Sequence, residues 1–257
     1  MLFRSGVDMF NNLEDWFSGE EIIGTQRNDS SYMYTVLMNS DALQSRRQYS
    51  IYDIAGEAFE DQEMTKMNTV YHFRDSNGLV IVIDPLSSDS VRDRAAQEGD
   101  DVSKYAAMDT TVVIQNFVSY LKTVVTNVGA GQKDNRPVAV VITKTDLPTI
   151  DGCISYEHIT EMYQANSGSY WSFSAIRDAM CEDFLNRNGF ADTIMAIKVN
   201  FSNVHYFPVS AVGHEPNGRK FVPQHVMEPF NWILSSTDAQ LAELMDVENP
   251  VSSSNEE

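Results

Sequence analysis

Three short stretches of this chain carry residue types that can do chemistry: Asp53-Ile54-Ala55-Gly56-Glu57, Thr143-Lys144-Thr145-Asp146 and Ser210-Ala211-Val212. In the first, an Asp closes an alternating run, and a glycine turn follows two residues later. Such a carboxylate reaches Mg²⁺ directly or through water, and a Gly N–H approaches a phosphate oxygen closely because no Cβ intervenes. In the second, the Lys144 stem can lie across a planar base with its ammonium left for nearby oxygens. Asp146 can accept two N–H donors together, as guanine offers at N1 and its exocyclic amine and adenine does not. The wrong base leaves a buried acceptor unpaired, and sites of this type discriminate by ~10⁴ or more. The third stretch is a tight turn whose backbone N–H groups can reach a base carbonyl. Singly each motif is ordinary, since Asp-x-x-Gly ends many strands. Their order along the chain is what gives them weight.

Each motif follows a strand-like run. Ser31 to Met38 alternates, a polar turn spans 39–48, and Tyr49 to Asp53 alternates again, which predicts an antiparallel hairpin. Leu79-Val80-Ile81-Val82-Ile83 is continuously apolar and β-branched, as expected of a strand covered on both faces, and ends at Asp84-Pro85. Pro137 to Ile142 runs into the Lys144 motif, and Tyr206 to Val209 runs into Ser210. Between these lie helical patterns: Val113, Phe117, Leu121 and Val124 from Asp109 onward, and Val226, Met227, Phe230, Ile233 and Leu234 near the end. Val7, Phe10, Leu13 and Phe17 mark an amphipathic helix, and Gln62 to Phe73 reads as another. Residues 86–104 read as a polar, solvated loop. Residues 147–203 read as a helical insertion with Trp171, Ile176, Met180 and Phe184 as its apolar positions. One domain over 1–235 is expected, with a partly disordered tail over 236–257. Strands alternating with helices give an α/β layer fold with a mostly parallel sheet, in which ligands bind beyond the carboxyl ends of the strands. All three motifs fall on that rim.

Composition narrows the function. The 257 residues are 42% hydrophobic and 21% charged, ordinary for a globular protein, but the net charge is −19. A surface this acidic repels phosphate backbones at long range, which argues against a nucleic-acid partner while leaving room for a nucleotide in a local pocket. Two cysteines and no disulfide framework fit a reducing, cytoplasmic setting. No stretch approaches the ~20 apolar residues of a membrane span. The five histidines form no metal-ligand spacing.

Taken together the motifs resemble the G domain of translation-factor-type and Ras-like GTPases, a three-layer P-loop NTPase fold. Asp53-Ile54-Ala55-Gly56 looks like their Asp-x-x-Gly motif, with Glu57 where small GTPases place a water-orienting Gln. Thr143-Lys144-Thr145-Asp146 looks like the base-specificity motif, and Ser210-Ala211-Val212 like the Ser-Ala-x motif. The finer texture is similar to the bacterial double-GTPase type 2 family: Asp-x-Ala-Gly-Glu, a helical insertion after the base motif, Phe207-Pro208-Val209-Ser210-Ala211-Val212-Gly213 and a closing Glu228-Pro229-Phe230-Asn231-Trp232-Ile233-Leu234. The resemblance covers most of residues 5–235. It implies GTP or GDP held by Thr143, Lys144, Asp146, Ser210, Ala211 and Val212. It also implies Mg²⁺ near Asp53 and Thr25, and a water positioned by Gly56 and Glu57 for attack on the γ-phosphate.

The departure from that family is a missing motif. No Gly-x-x-x-x-Gly-Lys-Ser/Thr occurs, and none of the thirteen glycines precedes a Lys. In the resembled fold this phosphate-cradling loop joins the first strand to the first helix, so strand and loop are expected upstream of Met1, the domain here being N-terminally truncated. The competing expectation is a nucleotide-free, GTPase-like interaction module that binds a protein partner through its acidic surface or the 147–203 insertion. A dinucleotide-binding enzyme lacks its Gly-x-Gly-x-x-Gly, and kinase chemistry lacks its catalytic-loop pattern.

Overall fold

The computed structural model describes residues 32–38, 47–53, 75–99, 102, 110–120, 131–166, 171–213 and 222–244. The expected helices over 7–17 and 62–73, together with Thr25, Gly56, Glu57 and the tail beyond 244, lie outside the described residues. Within them the protein is mixed α/β, with a parallel three-stranded sheet and a separate two-stranded hairpin.

The hairpin pairs β1 (Tyr32–Met38) antiparallel with β2 (Arg47–Asp53), Tyr32 opposite Asp53. A lone hairpin is marginal in water, and this one is tied elsewhere. Arg47 donates to Asp238 Oδ2 at 2.5 Å and to Gln240 Oε1 at 2.6 Å, fastening β2 to the start of the last described helix.

The sheet consists of β3 (Leu79–Ile83), β4 (Asp134–Ile142) and β5 (Phe201–Pro208), with Ile83, Ile142 and Pro208 in register. Val138 to Ile142 are all buried, because β4 is central and apolar side chains cover both its faces. On one face Leu79, Ile83, Val138, Val140 and Ile142 pack against α1 (Asp89–Glu98), α2 (Thr110–Tyr120), α3 (Pro148–Ile154), α5 (Phe173–Arg187) and α6 (Ala191–Asn200). On the other, Ala139, Val141, Phe207 and Val209 meet Trp232 and Ile233 of α7 (Glu228–Thr237). Helix α4 (Tyr156–Ala165) precedes α5, and α8 (Ala239–Leu244) follows α7, burying Leu241. The fold thus continues past residue 235.

Local signals explain the helices between strands. Ser155 and Ser172 accept from the N–H groups of His158 and Ala175, both at 3.2 Å, and so start α4 and α5. Over residues 86–99 the structure differs from the solvated loop expected over 86–104. Asp84 Oδ1 accepts from Leu86 N at 3.0 Å and nucleates a 3₁₀ turn over Pro85–Ser87, and α1 follows. Val91 and Ala95, four residues apart in an otherwise polar segment, are fully buried. Strand β5 begins at Phe201, five residues before the expected start, so the described helices between β4 and β5 fall between Pro148 and Asn200. Trp171 lies outside α5 and is 60% exposed, unlike the inward Phe184.

The two edges of the parallel sheet differ. On β5, Asp178 Oδ1 accepts from Tyr206 N at 2.9 Å and closes the outer edge. On β3, Ile83 O accepts from Thr143 N, so the peptide groups of the odd-numbered residues face β4 and those of Val80 and Val82 face outward. No strand pairs with that edge among the described residues, and Val80 and Val82 are 38% and 61% exposed.

Candidate functional site

Because β3, β4 and β5 run parallel and in register, their carboxyl ends bring Asp84, Thr143 to Asp146, and Val209-Ser210 side by side. Backbone bonds stitch these ends together. Thr143 donates to Ile83 O through both N, at 3.1 Å, and Oγ1, at 3.3 Å. Val209 N donates to Ile142 O at 2.8 Å, and Thr145 N to Val209 O at 3.3 Å.

Lys144 sits at φ 59, in the left-handed region. A non-Gly residue there is strained and persists only where its surroundings over-determine it. Part of that determination is visible: Lys144 Nζ lies 2.5 Å from Asp84 Oδ2, the oxygen not used to cap Leu86.

Asp146 is held from the opposite side. The fully buried Ser210 donates through Oγ to Asp146 Oδ1 at 2.5 Å, a length typical of hydroxyl–carboxylate bonds. The same Oγ accepts from Gly213 N at 2.7 Å and Val212 N at 3.3 Å. The half-buried Asp146 keeps Oδ2 without a partner among the described residues, and each carboxylate oxygen has two lone pairs. Both oxygens therefore remain able to accept.

The expectation that the Ser210-Ala211 turn offers several N–H donors narrows to one. Ser210 N donates to Gln224 O at 3.1 Å, within an antiparallel bridge that Gln224 N closes onto Ser210 O at 2.8 Å. Val212 N and Gly213 N are taken by the Ser210 hydroxyl. Ala211 N is the one N–H of this turn given no partner among the described residues. Gly213 is required by the same turn, since its φ is +78 and an added Cβ would lie 2.1 Å from Val222 O.

No family model, curated protein or solved structure matches the chain. The site's meaning rests on its own geometry.

Asp53 ends a strand of the hairpin, not one of the three parallel strands. It is exposed at the end of β2, in the separate hairpin, and no hydrogen bond or ion pair among the described residues links it to the β3–β5 loops. Among the described residues no group of three His, Cys, Asp or Glu side chains is placed to hold a metal by itself.

Two features escaped the sequence reading. Asp84 obeys the same grammar as Asp53, an Asp closing a strand, and that signal could have found it. The second is a cluster reached through Gln224. His225, at φ 57, stacks on Tyr156 with ring centroids 3.3 Å apart, and its Nδ1 is 2.6 Å from Glu228 Oε1. Burial raises the Glu228 carboxyl to about 7 and lowers the His225 imidazole to about 4, in each case favouring the uncharged form. No spacing rule links residues 156 and 225.

Proposed function

We propose that the chain is a guanine-nucleotide-binding domain of the GTPase type, with the β3–β5 rim as its base-binding end. One observation carries the reading: a buried Ser210 hydroxyl fixes Asp146 while leaving both carboxylate oxygens able to accept, beside the constrained Lys144 and the open Ala211 N–H. In this reading Asp146 accepts the N1 and exocyclic amine protons of guanine, Ala211 N donates to the base carbonyl, and the Lys144 stem covers the ring. Thr143 and Val212 hold the two loops, Thr143 through its bonds to Ile83 O and Val212 through its bond to Ser210. Adenine presents a lone pair at N1 and a C–H at C2, so it offers Asp146 neither donor and is rejected.

At the phosphate end the reading rests on sequence pattern. Asp53 and Thr25 would hold Mg²⁺, which when bound neutralises phosphate charge, and Gly56 and Glu57 would orient the attacking water. A proton taken by Glu57 would require its carboxylate form. Thr25, Gly56 and Glu57 lie outside the described residues.

The base end is tested directly. Saturation-transfer NMR of the full chain with GMP and with AMP should give transfer to the guanine H8 and none to adenine, and Asp146→Ala should abolish it. Equal transfer to both nucleotides, or transfer unaffected by Asp146→Ala, refutes the reading. A second reading, a nucleotide-free interaction module, is favoured by the lack of any Gly-Lys pair in the sequence. Absence of transfer from either nucleotide selects it.

A further inference from the structure

We infer that Asp84 is a positioning residue for the base site: it anchors the Lys144 ammonium so that the lysine stem lies over the space beside Asp146. The inference rests on the guanine reading above and assigns a specific residue to it.

Asp84 divides its two oxygens between two tasks. Oδ1 accepts from Leu86 N at 3.0 Å and starts the 3₁₀ turn, a structural task. Oδ2 takes the Lys144 ammonium at 2.5 Å, across sixty residues of sequence. The side chains of this ion pair are 30% and 40% exposed for Lys144 and Asp84. Pairs so exposed contribute little to folding, because water screens them and both chains lose rotamer freedom. Stability therefore does not account for the contact. Its geometric effect is definite. Lys144 leaves its strand in the left-handed region, which sets where its side chain starts, and Asp84 fixes where the side chain ends. A four-carbon stem pinned at both ends is ordered before any ligand arrives, so less rotamer entropy is lost on binding a planar ring.

The two tasks can be separated. In Asp84→Asn the amide oxygen can still cap Leu86, while the amide nitrogen offers the ammonium no acceptor. Asp84→Asn should keep the wild-type melting temperature and weaken GMP binding by up to about tenfold, the upper end for having to order one long side chain on binding. Asp84→Ala should lose both the melting temperature and the binding, and Asp84→Glu should restore part of the binding. Lys144→Met should weaken GMP to a similar degree, and the Asp84→Asn, Lys144→Met double variant should bind no worse than Lys144→Met alone. Lys144 in Asp84→Asn should also react faster with an amine-acylating reagent, read by peptide mass spectrometry.

A wild-type chain that transfers no saturation to GMP overturns the guanine reading, and the ligand Asp84 would serve falls with it. A wild type that binds GMP while Asp84→Asn binds equally well overturns the role of Asp84 alone. Multiplicative losses in the double variant do the same.

Discussion

Replacing Ser210 by Ala removes one oxygen that makes three hydrogen bonds in a fully buried position. The hydroxyl donates to Asp146 Oδ1 at 2.5 Å and accepts from Gly213 N at 2.7 Å and Val212 N at 3.3 Å. A bond to a charged group contributes about 1.5–3 kcal/mol, and the lower figure applies here because the half-buried Asp146 can be rehydrated. Leaving the Gly213 N–H unpaired in a tight turn adds about 1 kcal/mol. The long Val212 contact adds little. The expected loss is about 2–3 kcal/mol, a large share of the ~5–15 kcal/mol typical of a whole domain. Urea unfolding should show it as a lower midpoint at unchanged slope. Ser202→Ala is the control, since the exposed Ser202 Oγ makes one bond, to Asp134 O at 3.2 Å, and its loss should stay within about 0.5 kcal/mol. A Ser210→Ala midpoint indistinguishable from that of Ser202→Ala would refute the claim that Ser210 holds the rim together.

Other outcomes follow from the same geometry. Gly213→Ala places a Cβ 2.1 Å from Val222 O at φ +78, whereas Gly131→Ala meets nothing within 4 Å at φ +84. The second should lose about 1–2 kcal/mol for the left-handed backbone alone, and the first clearly more, by parallel urea titrations; equal losses would remove the close-approach argument. For Glu228 the folded carboxyl sits near 7 against an ordinary 4.5, so its contribution to stability is full below about 4.5 and is lost as pH rises through about 7. His225 acts in the opposite sense, contributing above about 6.5 and losing its contribution as pH falls through about 4. Glu228→Gln deletes the first slope, so its stability relative to wild type should climb by about 2 kcal/mol between acidic and neutral pH. A pH-independent difference would mean that burial does not hold the Glu228 proton.

The parallel sheet was legible in the sequence where hydrophobicity was continuous. Leu79 to Ile83 and Val138 to Ile142 are apolar at every position; both faces of the second are covered, whereas in the first Val80 and Val82 are exposed, unlike the two-sided burial expected of that strand. The hairpin was legible from alternation. Helix α1 was not, since its burial rests on Val91 and Ala95 among charged neighbours, and a two-residue stripe does not stand out from a loop. The start of β5 was hidden for a related reason: Ser202, Asn203 and His205 line its less buried half, so the polar residues masked its pairing with β4. At the site, Lys144, Asp146 and Ser210 were visible because each follows a strand. Their partners were not. The Asp84–Lys144 contact spans sixty residues and the Tyr156–His225 stack sixty-nine, distances at which only the folded topology brings side chains together.

The side of β3 that no strand among the described residues covers has a colloidal consequence. Peptide groups facing outward at Val80 and Val82, flanked by exposed methyls, form a template onto which another extended chain can add. A net charge of −19 holds copies apart at low ionic strength. Salt shortens that repulsion from about 10 Å at 0.1 M to about 3 Å at 1 M while leaving the valines as sticky as before. Light scattering of concentrated protein should therefore rise with added salt, the reverse of an interface built on ion pairs. Val82→Lys, which places a charge on the bare edge, should flatten that rise.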